Sequence, residues 1–232
     1  MSQSNHSRVD GASDQLISLG SSLVAGAQSG YAWYSQSSLF AFGFYPQGTG
    51  YVVAIWLVGL EENTVVWTAY RDDPPVSPDS KLELTHKGEL VLFSDYDGVN
   101  KTIAADISYA VINNNGNFVL HNHHSGVVWQ SFNRPTDSLL QGQRLFAGNE
   151  LVSSVSKTDY SSGGFHIKMQ MDGNLVMYPI NTDDEGGTNA YWDSSTNNPT
   201  IKNSKNYLYV PKQYRFTAYG WQQFTSHQAA LY

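Results

Sequence analysis

The sequence predicts an all-β protein built from short strands and tight turns. Only 14% of the residues are charged, whereas glycine occurs 20 times and Phe, Trp and Tyr together reach 13%. Aromatic and β-branched residues favour strands, and Gly, Asn and Ser favour turns. Hairpin patterns recur along the chain, and no segment has a convincing helical pattern. These observations favour small antiparallel sheets.

Composition also restricts the partners. The net charge of −7 argues against a nucleic-acid partner, because phosphate binding requires an excess of Lys and Arg. Cysteine is absent, so the chain has no disulfide, thiolate metal site or cysteine nucleophile. No apolar run approaches the roughly 20 residues that a membrane-spanning helix needs. The polar N-terminus lacks the apolar core of a signal peptide.

The chain contains two copies of one module. Val66-Trp67 recurs as Tyr191-Trp192, and three further segments recur in the same order about 122 to 125 positions later. The second copy stops before any equivalent of residues 115–120 and 127–129, so we expect it to be incomplete. The predicted division is a disordered tail (1–15), a first domain (16–131), a linker (132–141) and a second domain (142–232).

A smaller hairpin unit repeats inside the module. Each unit begins with a polar residue followed by Gly and then by an alternating apolar strand, as in residues 87–92, 115–120 and 172–177. Glycine suits such turns because it accepts a positive φ. Three units end at a tryptophan that we assign to the core: Trp67, Trp129 and Trp192. Repeated hairpins of this kind indicate small sheets packed around a common axis.

One segment, residues 170–178, has the pattern of a sugar-binding strand. Its polar positions and its apolar positions alternate, so one face of the strand is expected to present polar groups to solvent. Carboxylate, amide and phenol groups together supply the donors and acceptors that sugar hydroxyls need, and a valine can contact the ring. Asp172-Gly173 is expected to bend the segment into a shallow groove. The predicted carbohydrate-binding residues are Gln170, Asp172, Asn174, Val176 and Tyr178. A plain half-exposed strand is the competing interpretation.

The same segment resembles the signature of the plant bulb-type mannose-binding lectins, Gln-x-Asp-x-Asn-x-Val-x-Tyr, at all five specified positions. That resemblance implies direct contacts between these residues and mannose, without a metal or other cofactor. It also implies a β-prism II fold, in which three four-stranded sheets are related by pseudo-threefold symmetry. The chain would then be two β-prism modules in tandem.

A second resemblance extends over most of the chain. Residues 38–46, 65–72 and 129–140 are similar to the ectodomain of G-type lectin receptor-like kinases. This implies an extracellular or plasma-membrane-associated lectin part. The sequence has no kinase glycine-rich loop, no catalytic-loop signature and no membrane span, so no kinase activity is expected of it.

The chain also departs from the family pattern. Residues 47–55, 85–93 and 113–121 align with the motif but keep only one or two of its specified residues. The usual disulfide of bulb lectins is missing, and residues 214–232 match no known pattern. One complete motif predicts weak, monovalent binding unless the chain forms a homo- or hetero-oligomer.

The remaining clusters of polar residues in the sequence do not indicate an enzyme. His121, His123 and His124 form a dense group that fits a solvated loop better than a metal site. No nucleophile elbow or phosphate-binding loop is present. The acidic residues 183–185 are expected in an exposed loop, which leaves a glycosidase as the least favoured reading. Asn5 and Asn100 lie in glycosylation sequons.

The expected function is therefore non-catalytic binding of mannose-type glycans, either by a free lectin or by the lectin part of a receptor ectodomain. The alternative is a protein-interaction module for receptor pairing, whose sugar sites have largely decayed.

Overall fold

The computed structural model describes residues 16–59, 61–94, 100–182, 188–196, 207–209, 216–217 and 230–231. The predicted tail with Asn5, the acidic loop of residues 183–187 and most of residues 214–232 lie outside the described residues. In the described part of the chain, the regular elements are strands and one short 3₁₀ turn, Ser131–Asn133. None of the described residues forms a helix with the length and apolarity that a membrane crossing demands.

Strands β1 to β12 form the first module, which contains three four-stranded antiparallel sheets. The first sheet has the order β3-β4-β5-β6, with bounds Ala32–Tyr34, Phe40–Gln47, Gly50–Leu57 and Thr64–Thr68. The second has the order β2-β7-β8-β9, with bounds Ser22–Val24, Lys81–Leu84, Leu90–Phe93 and Lys101–Ala104. The third has the order β1-β10-β11-β12, with bounds Ile17–Ser18, Tyr109–Ile112, Phe118–His121 and Val127–Gln130.

All three sheets contribute to one core, which makes the module a β-prism. Phe42 of the first sheet, Leu82 of the second and Phe118 of the third are each fully buried. The rings of Phe42 and Phe118 are stacked with their centroids 3.7 Å apart. Each sheet turns one apolar face inward because side chains alternate along a strand. The predicted all-β, three-sheet architecture is confirmed.

Strands β13 to β21 form the second module. Its four-stranded sheet has the order β15-β16-β17-β18, with bounds Glu150–Ser154, Ser162–Met169, Leu175–Pro179 and Trp192–Asp193. Its other described strands form a three-stranded sheet, β14-β19-β21 (Arg144–Phe146, Tyr207–Tyr209, Ala230–Leu231), and a two-stranded sheet, β13-β20 (Ser138–Leu139, Phe216–Thr217). Strand β13 lies inside the range 132–141 that the sequence assigns to the linker.

The three repeated tryptophans have different environments. Trp67 is 7% exposed, and Trp129 is partly buried beside it with an edge-to-face contact of 5.7 Å between ring centroids. Trp192 is 39% exposed, so its assignment to the core is wrong. In the first module the rings of Phe42 and Trp129 pack against Trp67, whereas the inner core cluster of the second module, over the described residues, consists of Leu, Ile and Met side chains. Burial of Trp192 would require such a covering layer.

The two modules are joined by side-chain contacts as well as by the chain. The Arg71 guanidinium donates hydrogen bonds to the carbonyl oxygens of Val152 and Tyr160, each at 2.9 Å. The Asp72 carboxylate accepts hydrogen bonds from the backbone N–H and the hydroxyl of Ser162, at 2.7 and 2.9 Å. Tyr160 itself is buried on the outer face of the β3-β4-β5-β6 sheet. The second module therefore packs against the outer face of the first sheet.

Candidate functional site

The candidate site is the hairpin of strands β16 and β17. The backbone N–H of Gln170 donates to the Asn174 carbonyl at 2.8 Å, and the N–H of Gly173 donates to the Gln170 carbonyl at 3.1 Å. Gly173 has a φ of +87°, which explains why glycine occupies this position. The expected bend at Asp172-Gly173 is present, and residues 170–174 form the turn.

Within this turn, the polar side chains of the motif contact one another or the backbone. Gln170 Nε2 donates to the Tyr178 hydroxyl at 2.7 Å, which links the two ends of the motif across the hairpin. Asp172 Oδ1 accepts a hydrogen bond from the Asn174 N–H at 3.0 Å. Asp172 Oδ2 and Gln170 Oε1 form no hydrogen bond with the described part of the chain. These two oxygens can therefore accept hydrogen bonds from a ligand.

Asn174 is fully engaged in holding the neighbouring strand. Its Oδ1 accepts hydrogen bonds from the Ser194 hydroxyl at 2.9 Å and from the Thr196 N–H at 3.3 Å. The Ser194 hydroxyl oxygen also accepts a hydrogen bond from the Leu175 N–H at 2.9 Å. We call this arrangement, formed by Asn174, Ser194 and Leu175, the asparagine clasp. It fastens the end of β18 to the start of β17.

Asp193 extends this network on the far side of Asn174. Strand pairing places it opposite Val176. Its carboxylate accepts hydrogen bonds from the backbone N–H of Ser195 at 2.7 Å and from the Ser195 hydroxyl at 3.0 Å, and it also accepts one from the Asn174 side-chain amide. These hydrogen bonds, with that of the Ser195 N–H the strongest influence, lower the pKa of Asp193. The Asp193 carboxylate beside the turn therefore stays negatively charged at pH values below the usual pKa of an aspartate.

The five motif residues differ in exposure. Gln170, Asp172 and Asn174 are partly exposed, whereas Val176 and Tyr178 are 3% and 1% exposed. The expectation that the phenol faces solvent is therefore wrong. Leu175 and Met177 point into the core of the second module, so Val176 and Tyr178 lie on the opposite face of the strand, which is itself covered. The accessible part of the motif is the turn.

Three residues that sequence reasoning missed lie on the same outer face. His166 pairs with Tyr178 across the strands, with a ring-centroid distance of 5.5 Å, and Lys168 pairs with Val176. Glu150 lies opposite Lys168, and its Oε2 is 2.7 Å from His166 Nδ1. Reading the alternation backwards from Gln170 would have found Lys168 and His166. The position of Glu150 needed the register of β15.

A second hairpin, between β10 and β11, repeats this turn with different side chains. The N–H of Asn113 donates to the Asn117 carbonyl at 2.9 Å, and Asn117 accepts a hydrogen bond from the Ser131 hydroxyl at 3.2 Å. The Ser131 hydroxyl oxygen also accepts a hydrogen bond from the Phe118 N–H at 3.0 Å. This is the asparagine clasp again, in a segment that lacks the complete motif. The asparagine of the motif therefore has a structural role of its own.

The equivalent turn of the first sheet, between β4 and β5, is shorter and has no asparagine clasp. Gln47 pairs with Gly50 across a two-residue turn, and only 8% of its surface is exposed. The Gln47 side-chain oxygen accepts a hydrogen bond from the Tyr160 N–H at 3.2 Å, and its amide donates to Asp159 at 3.4 Å. A residue aligned with Gln170 thus contacts the second module instead of solvent.

The histidine cluster and the glycosylation sequon have simple environments. His121 stacks on Tyr109 with ring centroids 4.8 Å apart, and the rings of His123 and His124 are 3.8 Å apart. Among the residues that the structure describes, no three His, Cys, Asp or Glu side chains lie close enough together to hold a metal ion. Asn100 is exposed, as a glycosylation acceptor must be.

Comparison with known proteins finds a family match that ends before the hairpin of residues 170–178. Residues 64–154 match the family model of the D-mannose binding lectins. Residues 64–154 are thus similar to the D-mannose binding lectins, and this match supports carbohydrate binding in general.

The relatives are larger proteins. The chain is 36% identical over 191 residues to a G-type lectin S-receptor-like serine/threonine-protein kinase of Oryza sativa subsp. indica, with 78% of this chain and 23% of that protein covered. It is 32% identical over 200 residues to such a kinase of Arabidopsis thaliana, with 79% and 24% covered. The chain thus spans about a quarter of the length of these relatives.

A solved structure with similarity to this chain is the fetuin-binding two-domain lectin of Scilla campanulata. The identity is 14%, the TM-score is 0.30, and the match covers 84% of this chain and 77% of that one. At this TM-score the likeness carries no argument about ligand or fold.

Proposed function

We propose that the chain binds mannose-type glycans through the hairpin of residues 170–178, as the lectin part of a receptor ectodomain or as a free lectin. The observation that carries this proposal is the 2.7 Å hydrogen bond between Gln170 and Tyr178, which places the ends of the motif side by side. Asp172 Oδ2 and Gln170 Oε1 would accept hydrogen bonds from two sugar hydroxyls. The relatives are receptor-like kinases by name, which supports an extracellular location for this part.

The site should bind weakly. Each neutral hydrogen bond contributes about 0.5–1.5 kcal/mol, and one to a carboxylate about 1.5–3 kcal/mol. A shallow turn with a few such bonds gives a dissociation constant of about 1 mM, which corresponds to about −4 kcal/mol.

The test is calorimetric titration of the chain and its Asp172→Asn variant with a mannose oligosaccharide. Asparagine keeps the acceptor for the Asn174 N–H but replaces the free carboxylate oxygen by an amide donor. We expect the variant to bind about tenfold more weakly, the loss of one hydrogen bond to a charged group. Asp79→Asn, which removes an exposed carboxylate elsewhere, should leave binding unchanged. Equal affinities of the chain and of Asp172→Asn would exclude this site.

The burial of Tyr178 favours a second candidate, a protein-interaction module for receptor pairing. A lectin site needs the Tyr178 hydroxyl within reach of sugar, yet the residue is 1% exposed. The first module also lacks a complete motif, and its Gln47 contacts the second module. A dimer in light scattering, together with no heat on addition of mannose oligosaccharide, is the result that this candidate predicts.

A further inference from the structure

A cavity remote from the hairpin has the composition of a second ligand site. It has a volume of about 450 Å³ and lies between the end of β6 and the segment that follows β12. This volume is within the range of about 300–1,000 Å³ that is typical of small-molecule sites. The residues that line it and matter here are Trp67, Thr68, Tyr70, Arg71, Trp129 and Arg134.

The first observation is a buried hydroxyl without a partner. Thr68 lines the cavity and is 5% exposed, and its hydroxyl forms no hydrogen bond with any residue that the structure describes. Buried polar side chains are nearly always hydrogen-bonded to protein, water or ligand. Thr68 pairs with Ala54, so its side chain lies on the outer face of the first sheet, where a molecule on that side of the cavity can bond its hydroxyl.

The second observation is a positive charge at the same place that has no partner among the described residues. The Arg134 side chain is exposed, and its guanidinium forms no ion pair or hydrogen bond within the described ranges. Its backbone is held firmly, because the Arg134 carbonyl accepts a hydrogen bond from Trp67 Nε1 at 2.7 Å and its N–H donates to the Ser131 carbonyl at 2.9 Å. Arg71, by contrast, is saturated by its bonds to the second module.

The third observation is the aromatic lining. Trp129 is partly buried against Trp67, and Tyr70 is 41% exposed. The Tyr70 hydroxyl donates to the Thr102 carbonyl at 3.1 Å, which fixes the ring. Aromatic faces pack well against the C–H surface of a sugar ring, since both are apolar and rigid.

We propose that this cavity binds an acidic sugar, a pyranose that carries a carboxylate. The Arg134 guanidinium pairs with the carboxylate in the two-pronged geometry that favours arginine, the aromatic rings contact the ring face, and the Thr68 hydroxyl bonds a ring hydroxyl. A neutral sugar leaves the Arg134 charge unmatched. The chain as a whole has a charge of −7, so attraction of an acidic ligand would depend on the local cations Arg134 and Arg71. The proposal does not depend on the hairpin of residues 170–178.

The test uses calorimetric titration of the chain with the trimer of D-galacturonic acid and with its fully methyl-esterified form. We expect Arg134→Gln to weaken the acidic trimer about tenfold, as expected for loss of a charge-assisted hydrogen bond, and to leave the ester unchanged. Thr68→Val preserves the side-chain shape and should weaken both forms about threefold by removing one neutral hydrogen bond. Far-ultraviolet circular dichroism and thermal melts check that each variant folds.

Lys87→Gln is the matched control, because it removes an exposed positive charge far from the cavity in the sequence and outside its lining. Three outcomes overturn the proposal: no binding of the acidic trimer at millimolar concentration, equal binding by Arg134→Gln, or an equal loss in Lys87→Gln. Asp172→Asn should leave binding of the acidic trimer unchanged, so failure of the mannose site and failure of this one are distinguishable.

Discussion

Arg71 shows how one side chain can satisfy several groups of another module. Besides its bonds to Val152 and Tyr160, its Nη2 lies 3.2 Å from the carbonyl oxygens of Ser153 and Ser161 and from the Ser154 hydroxyl. Burial lowers the pKa of Arg71, while the nearby carboxylates of Asp137, Asp72 and Asp159 act in the opposite direction. Only a planar fork with five N–H donors can serve this many acceptors.

We predict that Arg71→Lys lowers the free energy of unfolding by about 2–4 kcal/mol, because an ammonium group cannot reach the same carbonyls and leaves several without donors. Denaturant unfolding measures this loss. Lys157→Arg, an exposed exchange of the same type in the second module, should change stability little. A loss below about 0.5 kcal/mol for Arg71→Lys would contradict the bridging role, since ordinary surface substitutions fall in that range.

At the scale of elements, two hairpins share the asparagine clasp although only one has the complete lectin motif. Asn117 and Asn174 both accept a hydrogen bond from the hydroxyl of the serine that comes directly after the next strand. An amide hydrogen-bonded in this way stabilises the hairpin whatever the outer face binds. The shared asparagine therefore has the same structural role in both hairpins, and the proposed sugar site involves only the second.

Substitution of each asparagine by alanine separates the two roles. We predict that Asn117→Ala and Asn174→Ala each lower stability by about 1–3 kcal/mol, because the serine hydroxyl and a backbone N–H lose their acceptor. Only Asn174→Ala should also weaken mannose-oligosaccharide binding. Thermal melts measure the stability and the calorimetric titration measures the binding. Weaker mannose-oligosaccharide binding in Asn117→Ala would contradict a sugar site confined to the second hairpin.

At the scale of the whole molecule, the two modules share an interface in addition to their connecting chain. Tyr160 is 7% exposed among residues of the first sheet, including Ala54 and Trp56. Its neighbour Tyr45, whose ring centroid lies 6.0 Å from that of Tyr160, is partly buried, and this burial and the nearby charge of Glu62 raise its pKa. Apolar burial and the Arg71 hydrogen bonds act on the same surface, so the modules should unfold together.

We predict one unfolding transition for the chain and two separate transitions for Tyr160→Ala. Removing the ring costs about 3–5 kcal/mol, as for other buried aromatic side chains, and this loss falls on the contact between modules. Scanning calorimetry distinguishes one transition from two. Phe146→Ala, which truncates an exposed ring of the second module, should keep the single transition.

The all-β class, the two copies and the hairpin turns could be predicted because they depend on local patterns. Alternation of polar and apolar residues sets the face of each strand, and a positive φ at Gly88, Gly116 and Gly173 explains the repeated polar-Gly pairs. The turn at residues 170–174 was foreseen for the same reason. These features need no knowledge of distant parts of the chain.

Only the tertiary structure decided how exposed each side chain is and which residues it contacts. Tyr178 and Trp192 have the residue types of their predicted roles, yet the phenol is covered and the indole is exposed. Arg71, Tyr160 and Arg134 belong to no motif, and their environments arise from residues far away in the sequence. The sequence by itself determined which way each strand faces, because that follows from the period of the backbone. The tertiary structure decided what covers each face, because burial depends on contacts between segments that no local pattern encodes.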